Sequence, residues 1–276
     1  MDPTSAVMHY NVGAFYAQIG LYDQAVADYT KAIQLRRDLY QAHNNLALAY
    51  IALGKPWEAV QQYELSIRRN PRQSRAYYNL GLVHAEEGRY EEAAAYYKTA
   101  LKNNLIIPDV HYHLGVAYEG MHREDQAMEQ YEQVLSIDSS HRETQYRIGL
   151  LLAGKQRYEE AVTYYARAIE IDPQYADAHY NLGRAFMKQG KVAQASREMD
   201  LFRTMTEYSK EKENLSRILL YMPRDAVVHW KLGRVHEKYD HYDRAIEEYT
   251  KALSIRPGFR EARQALEAVR QVAQDL

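Results

Sequence analysis

Hydrophobic and polar positions along the chain recur with helical spacing, and they recur in pairs of segments. Over residues 74–107, Tyr77, Leu80, Gly81 and His84 fall three and four apart, the period of one helix face. Gly88-Arg89 interrupts the stripe, and Tyr90, Ala93, Tyr97, Ala100 and Leu101 resume it, which predicts two helices joined by a tight turn. The pair then returns every 34 residues. A small residue stands at Gly13, Ala47, Gly81, Gly115, Gly149 and Gly183, each preceded by an aliphatic one: Val12, Leu46, Leu80, Leu114, Ile148 and Leu182. A second small series keeps the same step at Ala25, Ala59, Ala93, Ala127, Ala161 and Ala195. Where two helices cross closely, a side chain larger than methyl pushes the axes apart, so Gly81 and Ala93 mark a helix contact. Pro71, Pro173 and Pro257 stand where a second helix should stop.

Six units fit without a gap, at 6–39, 40–73, 74–107, 108–141, 142–175 and 176–209, and a seventh follows at 226–259. At these residues the chain resembles the tetratricopeptide repeat family, whose period is 34 residues. The resemblance covers 6–259 apart from one insert. It implies an all-α fold, a right-handed superhelical solenoid of helix-turn-helix repeats with an extended concave surface. Ser66, Val134 and Phe202 depart from the small residue seen at Ala32 and Ala100, and Arg37, Leu105 and Ser139 depart from the unit-ending Pro.

Three segments fall outside the repeat. Residues 260–276, with Ala262, Ala265, Leu266, Val269 and Val272 among charges, predict a helix capping the last repeat. Residues 210–225 are an insert without Gly, and Met205, Tyr208, Leu215, Leu219 and Met222 continue a helical stripe from the sixth unit through it. One extended helix from about Val192 to Met222 is expected, with a break near Ser209 to Glu213 as the alternative. Met1-Asp2-Pro3-Thr4-Ser5 matches a unit's tail, as in Ile171-Asp172-Pro173. The chain was either cut from a longer array or starts with Asp2, Thr4 or Ser5 capping the first helix.

Composition narrows the function classes. Lys+Arg (35) nearly balances Asp+Glu (37), without the basic excess of a nucleic-acid binder. No apolar run approaches the 18 residues of a membrane span. The absence of cysteine excludes disulfides, thiol catalysis and Cys-zinc sites. The first residues lack the layout of a signal peptide, so a cytoplasmic chain is expected, with a processed or trimmed periplasmic form as the alternative. The unusual number is 26 Tyr against 4 Phe and 2 Trp.

By resemblance, the first helices line the concave side, and the fifth, sixth and ninth places of each unit face the groove. The fifth places are Tyr10, Asn44, Tyr78, Tyr112, Tyr146, Tyr180 and Trp230; the sixth are Asn11, Asn45, Asn79, His113, Arg147, Asn181 and Lys231. The ninth are Ala14, Leu48, Leu82, Val116, Leu150, Arg184 and Arg234. An Asn side chain both donates and accepts, so a ladder of them suits an extended backbone of nearly any sequence. Tyrosines offer rigid contact area with a polar tip. Arg184, Lys188, Lys231, Arg234 and Lys238 make the C-terminal part basic. Family-average filling of the helix surface is the alternative for Tyr and Asn at these places. The Asn ladder is similar to that of the O-linked N-acetylglucosamine transferase repeat domain, interrupted at His113 and Arg147. The carboxylate clamp of chaperone-binding members is absent, since no unit has Lys at the fifth place.

His9, His43, His111, His179 and His229 share one repeat place and are expected to pack between helices rather than bind metal. Glu91-Glu92 and Glu159-Glu160 sit at second-helix starts, where they favour the positive end of the dipole. No phosphate loop, nucleophile elbow or zinc spacing occurs. The expected function is a non-catalytic scaffold that binds another protein or an extended peptide segment, with no cofactor. Two alternatives are the substrate-recruiting domain of a larger enzyme such as a glycosyltransferase, and a self-assembling module forming a homo-oligomer.

Overall fold

The computed structural model describes residues 3–275, with side chains from Ser5 to Gln274. Among these residues there are fifteen α-helices and no strand, and the fold is an all-α helical-repeat solenoid. The first helices of successive repeats are α1 (Pro3–Gln18), α3 (Tyr40–Ala52), α5 (Ser74–Glu86), α7 (Pro108–Gly120), α9 (Arg142–Gly154), α11 (Ala176–Lys188) and α13 (Ala226–Lys238). The second helices are α2 (Tyr22–Leu35), α4 (Pro56–Arg69), α6 (Tyr90–Lys102), α8 (Glu124–Ile137), α10 (Tyr158–Ile171), α12 (Val192–Tyr221) and α14 (Tyr242–Ile255), and α15 (Arg260–Asp275) ends the chain. Two compact units, Met1–Leu151 and Leu152–Leu276, divide the chain inside α9. In each unit a first helix packs on its own second helix, which packs on the next first helix.

The small residues before each turn have a cause the periodicity did not reveal. A Cβ on Gly115 would fall 2.5 Å from Tyr131 Cε1, and one on Gly13 would fall 2.8 Å from Tyr29 Cδ1. Gly81 lies equally close to Tyr97, and Gly233 to Tyr249. At these four glycines the space receives a tyrosine ring sixteen residues later, whereas at Gly183 it faces the Ala195 backbone carbonyl and the Met199 side chain, each at 3.2 Å. Tyr29, Tyr63, Tyr97, Tyr131, Tyr165 and Tyr249 are the largest fully buried side chains among the described residues. These six account for part of the chain's tyrosine excess.

Each hairpin turn passes through one left-handed residue at the fifteenth place. Gly20, Gly54, Gly88 and Gly190 have φ of 70 to 78°, and His122, Gln156 and Asp240 take the same conformation at 57 to 61°. Between repeats the second helix usually ends on extended backbone, as at Arg36, Asn70, Asp138 and Asp172. The third repeat, which has Leu105 in place of Pro, differs: α6 stops at Lys102 and Asn104 turns left-handed at φ 65°. Ser66, where four other units have Ala, is fully buried and donates to the Tyr40 carbonyl at 2.8 Å. Helix α12 is continuous over 30 residues. Ser5 lies within α1 and does not cap it, while any cap from the side chains of Asp2 or Thr4 falls outside the described residues.

Candidate functional site

Five histidines sit at the same height in their repeats, and each Nδ1 meets a side chain nineteen residues on. The partners are Asp28 for His9 (2.6 Å), Gln62 for His43 (2.8 Å), Gln130 for His111 (2.9 Å), Glu198 for His179 (2.7 Å) and Glu248 for His229 (2.6 Å). Each bond ties a first helix to its second. In the third repeat Tyr77 and Tyr96 replace the pair, with ring centroids 6.5 Å apart. Among the described residues no group of three or more His, Asp or Glu is placed to hold a metal ion.

The fifth and sixth places come together along the first unit, one repeat to the next. Asn45 Nδ2 donates to the Tyr10 hydroxyl at 3.2 Å. The rings of Tyr78 and His113 lie 5.9 Å apart. Arg147 Nε donates to the Tyr112 hydroxyl at 3.1 Å, and its guanidinium lies over the Tyr112 ring. These three contacts all span 35 residues, because a fifth place in one first helix abuts the sixth place in the next. Leu48 is exposed beside this strip, and Ala14, Leu82, Val116, Tyr146 and Leu150 are half-buried.

The sixth place also leans on the buried tyrosine of the preceding repeat. Burial pushes the pKa of Tyr29 up while a hydrogen bond from Asn45 lowers it, and Tyr63 and Asn79 repeat the arrangement. His113 stacks on Tyr97 with ring centroids 6.1 Å apart. Glu119 accepts from the Tyr131 hydroxyl at 2.6 Å and from Arg147 at 2.8 Å. Burial opposes charge on Arg147, but Tyr131, Tyr112 and Glu119 outweigh it and its pKa is raised. Tyr78 is pushed up to about 12 by burial and by Asp109.

Several sequence-selected residues are therefore not free surface donors. Asn44 is buried and donates to Asn45 Oδ1 at 3.3 Å. Asn45 and Asn79 spend hydrogen bonds on interior tyrosines. Asn11 is exposed on α1. In the second unit Tyr180, Arg184 and Lys231 are exposed, with Arg184 over the Tyr180 ring, and Asn181 donates to the Asp177 carbonyl. Trp230 packs on Phe259 of the closing turn at 5.8 Å, which makes it largely a core residue. Of the basic set, Arg234 pairs with Glu237 at 3.7 Å and Lys238 with Glu211 at 2.7 Å, so the surface is less basic than the residue count suggested. Glu119 and Tyr131 were missed by sequence reasoning, and Tyr97 was read only as a helix-face position. The signal that could have found Glu119 is the replacement of the sixth-place Asn by Arg147, a charge that requires a partner.

Burial pushes the pKa of His113 down, helped by Arg147 and His141 and opposed by Asp109. A histidine depressed in the folded state contributes stability above its unfolded pKa of about 6.5, and that contribution is lost as pH falls through the folded value. Urea unfolding midpoints should therefore fall between pH 7 and 5, and His113→Asn should flatten that slope. An unchanged slope in the variant would contradict this assignment.

Family profiles described as tetratricopeptide repeat or TPR repeat match residues 4–72, 44–104, 87–142, 152–190 and 226–259. The chain belongs to the tetratricopeptide repeat family, and it is built as a protein-interaction repeat scaffold. Among solved structures it is similar to MamA, with 26% identity over 60% of this chain and 97% of that one, at a TM-score of 0.56. It also shares its fold with a structure from the functional characterization of Pseudomonas aeruginosa pilF, with 24% identity over 72% of this chain and 91% of that one, at a TM-score of 0.63. YrrB, described as a TPR protein with an unusual peptide-binding site, matches at 20% identity, 87% and 97% coverage and a TM-score of 0.54. No curated protein sequence matches the chain significantly. No helix among the described residues is long and apolar enough to cross a membrane.

Proposed function

We propose that the chain is a non-catalytic adaptor that holds a segment of another protein against the first-helix strip of the first unit. The observation carrying this is the 35-residue contact between Tyr10 and Asn45, Tyr78 and His113, and Tyr112 and Arg147, which joins separate repeats into one surface. Leu48, Leu82 and Val116 beside it offer apolar contacts at the repeat spacing. Because Asn45 and Asn79 are partly committed to tyrosines, recognition rests on aromatic and aliphatic area first and on backbone pairing second. Arg147 is already neutralised by Glu119, so this middle region favours an uncharged segment. The peptide site that the YrrB description records supports the same use of the fold.

Peptides selected from a random library on this chain should bind it in fluorescence anisotropy. Leu48→Glu with Val116→Glu should weaken that binding by at least about 30-fold, the range of interface hot spots, at unchanged helicity. Selected peptides that bind the double variant as well as the parent would reject the strip as the site.

A further inference from the structure

Helix α12 runs 30 residues where α10 and α14 run 14, so everything after Met205 is additional to a repeat. The added part docks on the α13–α14 hairpin through Tyr208, its one buried residue. The Tyr208 hydroxyl meets His236 Nδ1 at 3.0 Å and accepts from Arg244 Nη1 at 3.3 Å. Its ring lies 4.5 Å from that of His241 and 5.3 Å from that of Tyr239, both in the turn between α13 and α14. Beside this contact is a cavity of about 220 Å³, several times the roughly 30 Å³ that a water takes in the liquid. Met205, Tyr208 and Tyr239 give it apolar walls, and Lys212 and His241 supply its charge-bearing groups.

Lys212 is the unexpected member. It falls four residues after Tyr208 and three before Leu215, inside an apolar stripe where helical spacing calls for a hydrophobic side chain. Among the described residues it is the only lysine that is not exposed. A lysine held partly out of water needs a partner for its charge. No carboxylate among the described residues pairs with it: Glu211 is spent on Lys238 at 2.7 Å and Glu213 on Arg217 at 3.1 Å. The ammonium lies 5.3 Å from the centre of the Tyr208 ring, which offsets part of its desolvation but occupies none of its three donors in full. Arg244 also has no carboxylate partner among the described residues. Burial pushes the pKa of His241 down, and Arg244 and Lys212 push it further, opposed by Asp240. Positive groups thus crowd one buried tyrosine, and an anion is what the arrangement lacks.

We infer that this cavity binds a carboxylate carried on an apolar body, with its oxygens on Lys212 and its body against Met205 and Tyr239. A monoanion matches the single fixed positive charge in the lining. The apolar walls disfavour a bare ion, which would lose its hydration there without replacement. Ser209 and Gln174 add hydrogen-bonding side chains to the lining. None of these residues belongs to the first-helix strip of the first unit.

Titration calorimetry of the whole chain with 3-phenylpropionate tests the site. The acid should bind, and 3-phenylpropionamide, of the same shape without the charge, should bind at least about 10-fold more weakly. Lys212→Met, which completes the apolar stripe, should weaken the acid to the level of the amide at unchanged far-UV dichroism. Ser209→Trp, at an exposed lining position, should block the acid by filling the cavity. A peptide ending in a free C-terminal phenylalanine separates two sources of such a carboxylate. Binding tighter than that of 3-phenylpropionate assigns the site to a protein C-terminus, and weaker binding assigns it to a free organic acid. No binding at millimolar acid overturns the inference. So does equal binding of acid and amide, or a Lys212→Met or Ser209→Trp chain that binds the acid as the parent does.

Discussion

Tyr131→Ala should destabilise the protein by about 3–5 kcal/mol, the range for removing a buried aromatic ring. The ring is fully buried, it fills the space left by Gly115, and its hydroxyl donates to Glu119, which also holds Arg147. The two parts of that loss can be separated. Tyr131→Phe keeps the ring and removes only the donor, so it should cost about 1–2 kcal/mol. Tyr97 occupies the equivalent place, but its hydroxyl is buried with no hydrogen-bond partner among the described residues. Tyr97→Phe should therefore be near neutral or slightly stabilising. Urea titrations of the three variants decide the matter, and equal costs for the two Tyr→Phe changes would remove the special role given to Glu119.

Gly115→Leu should cost about 3 kcal/mol, because the added side chain and the Tyr131 ring claim the same volume in a close-packed interior. The ring cannot swing away without breaking its bond to Glu119. A methyl is a different case. The second repeat has Ala47 at this place with Tyr63 still buried, so Gly115→Ala should cost clearly less than Gly115→Leu. Thermal melts compare the two directly, and a Leu variant as stable as the parent would show that the glycine and the ring are not matched.

The helical pairs, their 34-residue step and the family were legible because a repeat copies one local solution many times, and copying makes a weak pattern strong. The histidine role was legible for the same reason, since five copies at one place point to a shared contact. Places five, six and nine could be named as a set, but what each side chain does with its polar atoms could not. Asn44 and Asn45 are neighbours of one residue type, and yet one is buried while the other spans two repeats. Trp230 shares a place with Tyr10 and packs instead on the closing turn.

Sequence by itself therefore determined the all-α repeat scaffold, because period and residue size are properties of position along the chain. Only the tertiary structure decided which tyrosine fills which glycine, which Asn is spent internally, and that Glu119 balances Arg147. Those are contacts between segments 12 to 35 residues apart, and their outcome depends on volume and hydrogen-bond geometry that no single repeat contains.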